Sequence, residues 1–482
     1  MPGKIKLVSN SISILINRVT QSIATFVLTA AISRLLGARE LGQYLLAFSF
    51  YYIFMSLASQ GLKVLFTREL SKRPEDIEYY FVNGTLLQLL LSIVSYILLV
   101  GIVYLLPYSS ETSNVCYIFA LAIVPFSLSN ITEAIFQAQE RMHLIAISTV
   151  PIYIIRLLII IWSMRLGYGI NTASIVMALS EVIILFVQWV AIFQQLPHIK
   201  WKIDIQFMLQ TLWEVRTFLA IEGIAIFGQR MQILILSVVG SEVLVGLFGG
   251  ITQLMQPFLI IAESINLAIF PSLSKASNLD RKEQQSIAEG IADILACAAI
   301  PFCIGILYFG NDLLLFVFDD PNFSQATLAL NLVALTLVSL CFMRPLCYVL
   351  VANGLERINL HIASITTISN LILGAILISK FQLLGAALNV FIIRIAGFLM
   401  TLFYTDKNLF KMHRLKTLRR SMLLGSLMVV VFEILRRNAA DSFITTLAIA
   451  TIAYLLIAAL LVALSSKGRS YIREKLSSGA IG

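Results

Sequence analysis

Charge is what this chain has least of. Only 13% of its 482 residues are Asp, Glu, Lys or Arg, against roughly 25% in soluble globular proteins. That shortage excludes a water-exposed surface over most of the length. Histidine is scarce too: His143, His198, His361 and His413 are scattered without ligand spacing, which speaks against a structural metal site. The five cysteines, Cys116, Cys297, Cys303, Cys341 and Cys347, fall in or beside apolar runs, so no disulfide framework is expected. The phosphate loop GxxxxGK[ST], the dinucleotide fingerprint GxGxxG, the esterase elbow GxSxG and the zinc motif HExxH are all missing. Nothing in the chain points to nucleotide hydrolysis or to any other catalysis, and no catalytic residue is assigned.

What fills the chain is long apolar runs, with 59% hydrophobic residues. Windows of about 19 residues pick out about fourteen candidate membrane spans. The expected fold class is an all-α integral membrane protein. Lys4 and Lys6 lead straight into a full-length apolar helix without a small-residue cleavage site, which reads as an anchor and not as a signal peptide. The second span is drawn at 40–62 and the fourth at 115–137. The span at 420–436 is short, bracketed by Arg419, Arg420, Arg436 and Arg437, and depends on snorkelling side chains. Most of the 35 Lys and Arg lie on one side of the array, which places both termini in the cytoplasm. The inner loop 406–420 is the most basic and should lie against anionic headgroups. The outer loop that follows Asn311 has no Lys or Arg. A net charge of +9 is thereby explained without a nucleic-acid partner, and none is expected.

A short charged loop occurs twice. FQAQERMHLIAIS holds Glu140 and Arg141; ANGLERINLHIAS holds Glu356 and Arg357 at one constant offset, which Gly169 and Gly385 share. A second offset relates Gly42, Tyr44 and Phe66 to Gly246, Phe248 and Phe270. The chain therefore divides into a six-helix bundle at 1–197, a second at 198–410, and a remainder at 411–482 with the last two helices and a cytoplasmic tail. An even number of spans per unit gives parallel repeats about the membrane normal, an architecture of transporters.

Charge at depth is the sharper signal. An ionisable residue at a helix centre costs roughly 2.5–3.5 kcal/mol. Five arginines fall within spans: Arg18, Arg156, Arg230, Arg344 and Arg394. So do four acids: Glu133, Glu181, Glu222 and Glu263. Lysine is almost absent there. Helical spacing groups these charges into polar stripes, such as Asn130, Glu133 and Gln137, or Glu181 and Gln188. Such stripes suit a water-filled chamber. Arginine grips phosphate oxygens through a planar fork, so the arginine set favours an anionic ligand, and the four glutamates are candidates for Na+ or H+ coupling. The competing reading is that the same residues form buried ion pairs that only hold helices together. Prolines at 125, 151, 257, 301 and 345 mark expected bends.

The phrase RLLGARELGQYLLAFSF, with Leu36, Gly37, Gly42 and Tyr44, together with FQAQER and ANGLER, resembles the polysaccharide or O-antigen flippase family of the multidrug/oligosaccharidyl-lipid/polysaccharide exporter superfamily. The resemblance covers essentially the whole chain. It implies a non-enzymatic protein of the cell inner membrane that moves a lipid-linked oligosaccharide, carried on a polyprenyl diphosphate, across the bilayer by alternating access, for cell-surface polysaccharide biosynthesis. On that reading Arg18, Arg156, Arg230, Arg344 and Arg394 bind the diphosphate headgroup. No cofactor is implied beyond a Na+ or H+ gradient. The implied partners are the lipid-linked substrate, membrane lipids, and the glycan polymerase and chain-length machinery. The alternatives are a cation-coupled multidrug exporter or a peptidoglycan lipid-precursor flippase of the same superfamily, and a membrane glycan polymerase, against which the short outer loops weigh.

Overall fold

The computed structural model describes residues 2–196, 201–277, 281–412, 414–437 and 443–464. Every regular element among them is helical. Ten helical stretches are long and apolar enough to cross a membrane, and Ile226–Val239 and Phe443–Ala459 are shorter apolar helices. The chain forms two compact units. One comprises residues 1–254 and 371–386, the other 255–370 and 387–482.

In the first unit α1 (Pro2–Leu36) packs on α6 (Met142–Arg165), and α6 on α7 (Ile170–Gln195). The central rod is α2 (Ala38–Lys72), which packs against α3 (Ile77–Leu105), α4 (Ser110–Leu121), α5 (Ile123–Ala138) and α8 (Ile205–Val239). Lipid supplies no hydrophobic drive between helices, so close approach depends on small side chains. Ala47, Ser49, Ala58 and Ser59 of α2 are buried accordingly. The hydroxyls of Ser49 and Ser59 donate to the carbonyls of Leu45 and Met55 at 2.7 and 2.8 Å, so neither is stranded.

The fourth span is broken in two. Pro125 carries no N–H for the Leu121 carbonyl, and its ring crowds that turn. The helix stops at Ala122, whose N–H bonds the Phe119 carbonyl at 3.0 Å, and restarts as α5. The start of α8 is fastened to α3. Asp204 caps it by accepting from the Phe207 N–H at 3.0 Å and from the Tyr79 hydroxyl at 2.8 Å. Asn83 accepts from the Asp204 N–H at 2.7 Å and donates to the Lys202 carbonyl at 3.0 Å.

The start of α9 (Glu242–Ser277) lies against α2 and α4. The Glu242 carboxylate accepts from Ser109, Thr112 and Arg39, and Arg39 also reaches Glu111 at 3.0 Å. Gly42 and Gly246 let α2 and α9 approach backbone to backbone.

In the second unit α10 (Arg281–Phe318) packs against α11 (Thr327–Ala352) and α13 (Arg414–Arg437), and α13 against α14 (Phe443–Leu464). The sequence places an outer loop after Asn311. The chain instead stays helical to Phe318, past a kink at Phe309. Phe318 then stacks on Phe323 at 4.1 Å, at the 3-10 turn Pro321–Ala326. At 53 residues, α12 (Glu356–Asn408) is far too long for one crossing, which takes about 20. It breaks at Gln382, where φ is 46°. Asn389 donates to the Asn370 side chain at 2.7 Å, which sets its two limbs side by side.

Candidate functional site

The first unit encloses a cavity of about 180 Å3 whose walls come from α1, α2, α5, α6 and α7. Its aromatic wall is written in the spacing of α2: Tyr44, Phe48, Tyr51 and Tyr52 all line it. Tyr153 of α6 continues that wall, and Arg156, one turn on, supplies its cation.

Arg156 pairs with Glu181 at 3.0 Å, and both side chains are nearly buried. Its Nη1 also reaches Ser180 at 3.3 Å and the Met177 sulfur at 3.0 Å, and its carbon lies 4.8 Å from the Tyr153 ring. All these polar contacts use one nitrogen of a guanidinium with five N–H donors. Nε and Nη2 take no part in these contacts. Arg230 of α8 lies 5.5 Å from the Phe48 ring and 5.1 Å from the Tyr52 ring. Those two rings also line the cavity. No carboxylate partner of Arg230 is found among the described residues. A guanidinium held through its face keeps its edge donors available.

A second polar cluster sits in the same unit. Glu133 accepts from the Lys63 ammonium, which also donates to Asn130 Oδ1 at 3.1 Å. Gln188 donates to Glu133 at 3.2 Å and to Ser148 at 3.2 Å. Asn130 donates to Ser59 at 2.9 Å. Lys63 is not among the charges that the sequence singles out. The span drawn at 40–62 stops one residue short of it, because a lysine lowers any hydropathy window. The helix runs on to Lys72, and Lys63 lies inside it with its head on Glu133.

The second unit holds its own charges. Arg344 of α11 pairs with Glu263 of α9 at 3.1 Å, and Tyr348, one turn on, donates to Glu263 at 2.8 Å. Arg394 of α12 has no carboxylate partner among the described residues, and it lies within electrostatic reach of Arg344. One turn from it, Gly397 lies beside the side chains of Met343 and Thr366. This unit also contains an apolar cavity of about 370 Å3, with Pro257, Phe302, Phe309, Phe432, Ala450 and Tyr454 in its walls.

Of the nine residues singled out in the sequence, the structure thus joins Arg156 to Glu181 and Arg344 to Glu263, gives Glu133 a lysine, and leaves Arg230 and Arg394 without a carboxylate. The side chains of Arg18 and Glu222 lie outside the described residues. Sequence reasoning missed Lys63 and the aromatic wall. The wall had a readable signal, four aromatics on one face of a helix at i, i+4, i+7 and i+8.

Residues 7–277 match the family described as "Polysaccharide biosynthesis protein". The chain belongs to that family. A relative, an uncharacterized membrane protein of Methanocaldococcus jannaschii, is 24% identical over 360 residues, covering 72% of this chain and 85% of the relative. Among solved structures, the lipid II flippase MurJ in an inward closed conformation aligns with a TM-score of 0.75 at 18% identity, over 94% of this chain and 98% of that one. An inward-facing multidrug resistance MATE family transporter of the MOP superfamily aligns at 0.62 with 15% identity, over 80% and 95% of the two chains. A MOP superfamily transporter from Pyrococcus furiosus aligns at 0.59 with 12% identity, over 83% and 95%. The fold is therefore that of the MOP superfamily, and the protein is a multi-pass, all-α membrane protein.

Proposed function

We propose that the protein is a flippase for a polyprenyl-diphosphate-linked oligosaccharide, working by alternating access in the cytoplasmic membrane with both termini inside. The observation that carries this reading is the presence of Arg156 in the wall of one aromatic-lined cavity and of Arg230 against two of the rings that line it. Arg230 carries a positive charge that no described carboxylate neutralises. A cation kept in the membrane at a cost of roughly 2.5–3.5 kcal/mol needs a return, and an anionic ligand supplies one. Diphosphate oxygens suit the free edge donors of both guanidinium groups, while sugar rings stack on tyrosine and phenylalanine faces. Arg344 and Arg394 of the second unit, and Arg18, are likewise proposed to bind diphosphate oxygens. The apolar cavity of the second unit suits a polyprenyl chain. Exchange of Na+ or H+ on Glu181, Glu222 and Glu263 is the proposed drive. Glycan polymerase and chain-length proteins are proposed as downstream partners, because a translocated unit must be consumed outside.

The aromatic wall also favours a second reading, export of cationic drugs, since tyrosine and phenylalanine faces attract cations. The two readings differ in the sign of the ligand. The test is binding of a labelled polyprenyl-diphosphate oligosaccharide to the protein in nanodiscs. The flippase reading expects saturable binding that free diphosphate weakens and that R156A/R230A loses by about tenfold or more, with an unchanged size-exclusion profile. Unchanged binding by the double variant, with a cationic dye competing, would transfer the assignment to the drug exporter.

A further inference from the structure

The Lys63–Glu133 cluster has no part in the cavity described above. Glu133 faces an ammonium on one oxygen and the Gln188 amide on the other. The ammonium is shared with Asn130 Oδ1 at 3.1 Å. Both charged side chains are largely buried, at 19% and 15% exposure. Gln188 is fully buried, and its Oε1 has no hydrogen-bond partner. Its Nε2 is held by the carboxylate and by Ser148. A carboxylate oxygen and an amide oxygen around one positive centre are oxygen ligands of the kind that a hard monovalent cation takes. Here the positive centre is tethered to the backbone.

We infer that Lys63 is a built-in counter-cation: its ammonium occupies the place that an exchangeable inorganic cation would take beside Glu133, so the first unit draws no cation from solution at this carboxylate. Lysine suits the role, since its head is a compact point charge on a flexible stem. Arginine, with a planar fork, could not stand in for a spherical ion. The stem comes from α2, the central rod, so α2 stays clamped to α5 and α7 whatever the salt. Among the glutamates proposed for coupling, Glu133 is thereby removed. The inference deepens the transport reading, from which it takes only that a membrane carboxylate is where a coupling cation binds. Its test reads cation binding and leaves transport aside, so the two ideas fail separately.

The experiment is thermal unfolding of the purified full chain at about pH 8.5, where a carboxylate is ionised, with choline chloride replaced stepwise by lithium, sodium, potassium or ammonium chloride at fixed ionic strength. Wild type should show no cation-dependent shift of its midpoint that E133Q removes. K63A should be destabilised in choline and recover saturably with ammonium or an alkali cation, by about 3 °C or more. K63A/E133Q should lose that response. A saturable sodium or potassium shift in wild type that E133Q erases would overturn the inference, and so would a folded K63A that ignores every cation. If K63A does not fold in any salt, the wild-type titration decides alone: a flat response supports the tethered cation, and a saturable one erased by E133Q refutes it.

Discussion

Gly42 of α2 and Gly246 of α9 meet backbone to backbone: a Cβ on Gly42 would stand 3.1 Å from the Gly246 nitrogen, and one on Gly246 would stand 3.0 Å from the Gly42 nitrogen. The exchange is reciprocal beyond these two. The Gly42 Cβ would also collide with the Glu242 carbonyl, and the Gly246 Cβ with the Ala38 carbonyl. Ala38 and Glu242 stand at the same sequence offset as the glycines, and so do Leu45 and Gly249, which also touch. Residue i meeting j while j meets i is the signature of a two-fold contact. It supports the repeat proposed for 1–197 and 198–410.

The contact is between main chains, so neither side can give way cheaply. G42A and G246A should each lower stability by about 1–3 kcal/mol, the range for overpacking. Thermal unfolding of both variants checks this. A change below about 0.5 kcal/mol in either, the range of neutral surface substitutions, would show that the helices do not approach so closely.

The Arg156–Glu181 pair separates a structural from a functional role. Removing one partner of a buried pair costs about 3–5 kcal/mol, because it strands the other charge. E181L should show that loss in thermal unfolding. R156M/E181L should regain most of it, as neutral replacements of buried pairs often do. If Arg156 serves the ligand, the stable double variant should still fail to bind the diphosphate substrate. A double variant that is stable and binds normally would leave the pair with a structural role alone.

The apolar cavity of the second unit makes a length-dependent prediction. Gly305 lines it, and a Cβ there would meet only the Phe432 ring, at 3.4 Å. G305F and A450W should therefore fill the cavity and leave the fold intact. Each should reduce transport of a long polyprenyl substrate by about tenfold or more, while sparing a short-chain analogue. Equal inhibition of both lengths would remove the chain from this cavity.

The cap at Asp204 predicts an acid-sensitive helix start. The Phe207 N–H, and next the Tyr79 hydroxyl, hold its carboxyl below the usual aspartate range. A depressed folded-state pKa stabilises above the unfolded value of about 3.9 and loses that contribution as pH falls through the folded one. Hydrogen exchange of the first turn of α8 should accelerate below about pH 4 in wild type. D204N keeps a capping oxygen and cannot titrate, so the acid step should vanish.

Much of the fold was legible because the bilayer imposes a simple code. A membrane helix needs about 20 apolar residues, and the span limits read from the sequence fall on helices throughout the described chain. The helix breaks were less legible. Pro125 breaks its span at Ala122, yet Pro151 and Pro345 lie inside unbroken helices, and the helix that holds Pro301 kinks at Phe309 and not at the proline. The turn in α12 falls at Gln382, with φ positive and no proline near it. At the candidate site, helical periodicity placed Glu181 and Gln188 on one stripe, and that stripe reaches both Arg156 and Glu133. Periodicity could not choose partners across helices. Which acid takes which base is set by tertiary packing, and so Lys63 escaped notice at the edge of a hydropathy window.

The most direct measurement is leaflet-resolved flipping. Purified protein in proteoliposomes would be given a labelled polyprenyl-diphosphate oligosaccharide, and an impermeant glycan-cleaving enzyme would report which leaflet holds the label. The account predicts protein-dependent movement of the label between leaflets, lost in R156A/R230A that still inserts and folds. Movement at the same rate in the double variant, or extrusion of a cationic dye in place of the glycan lipid, would contradict it.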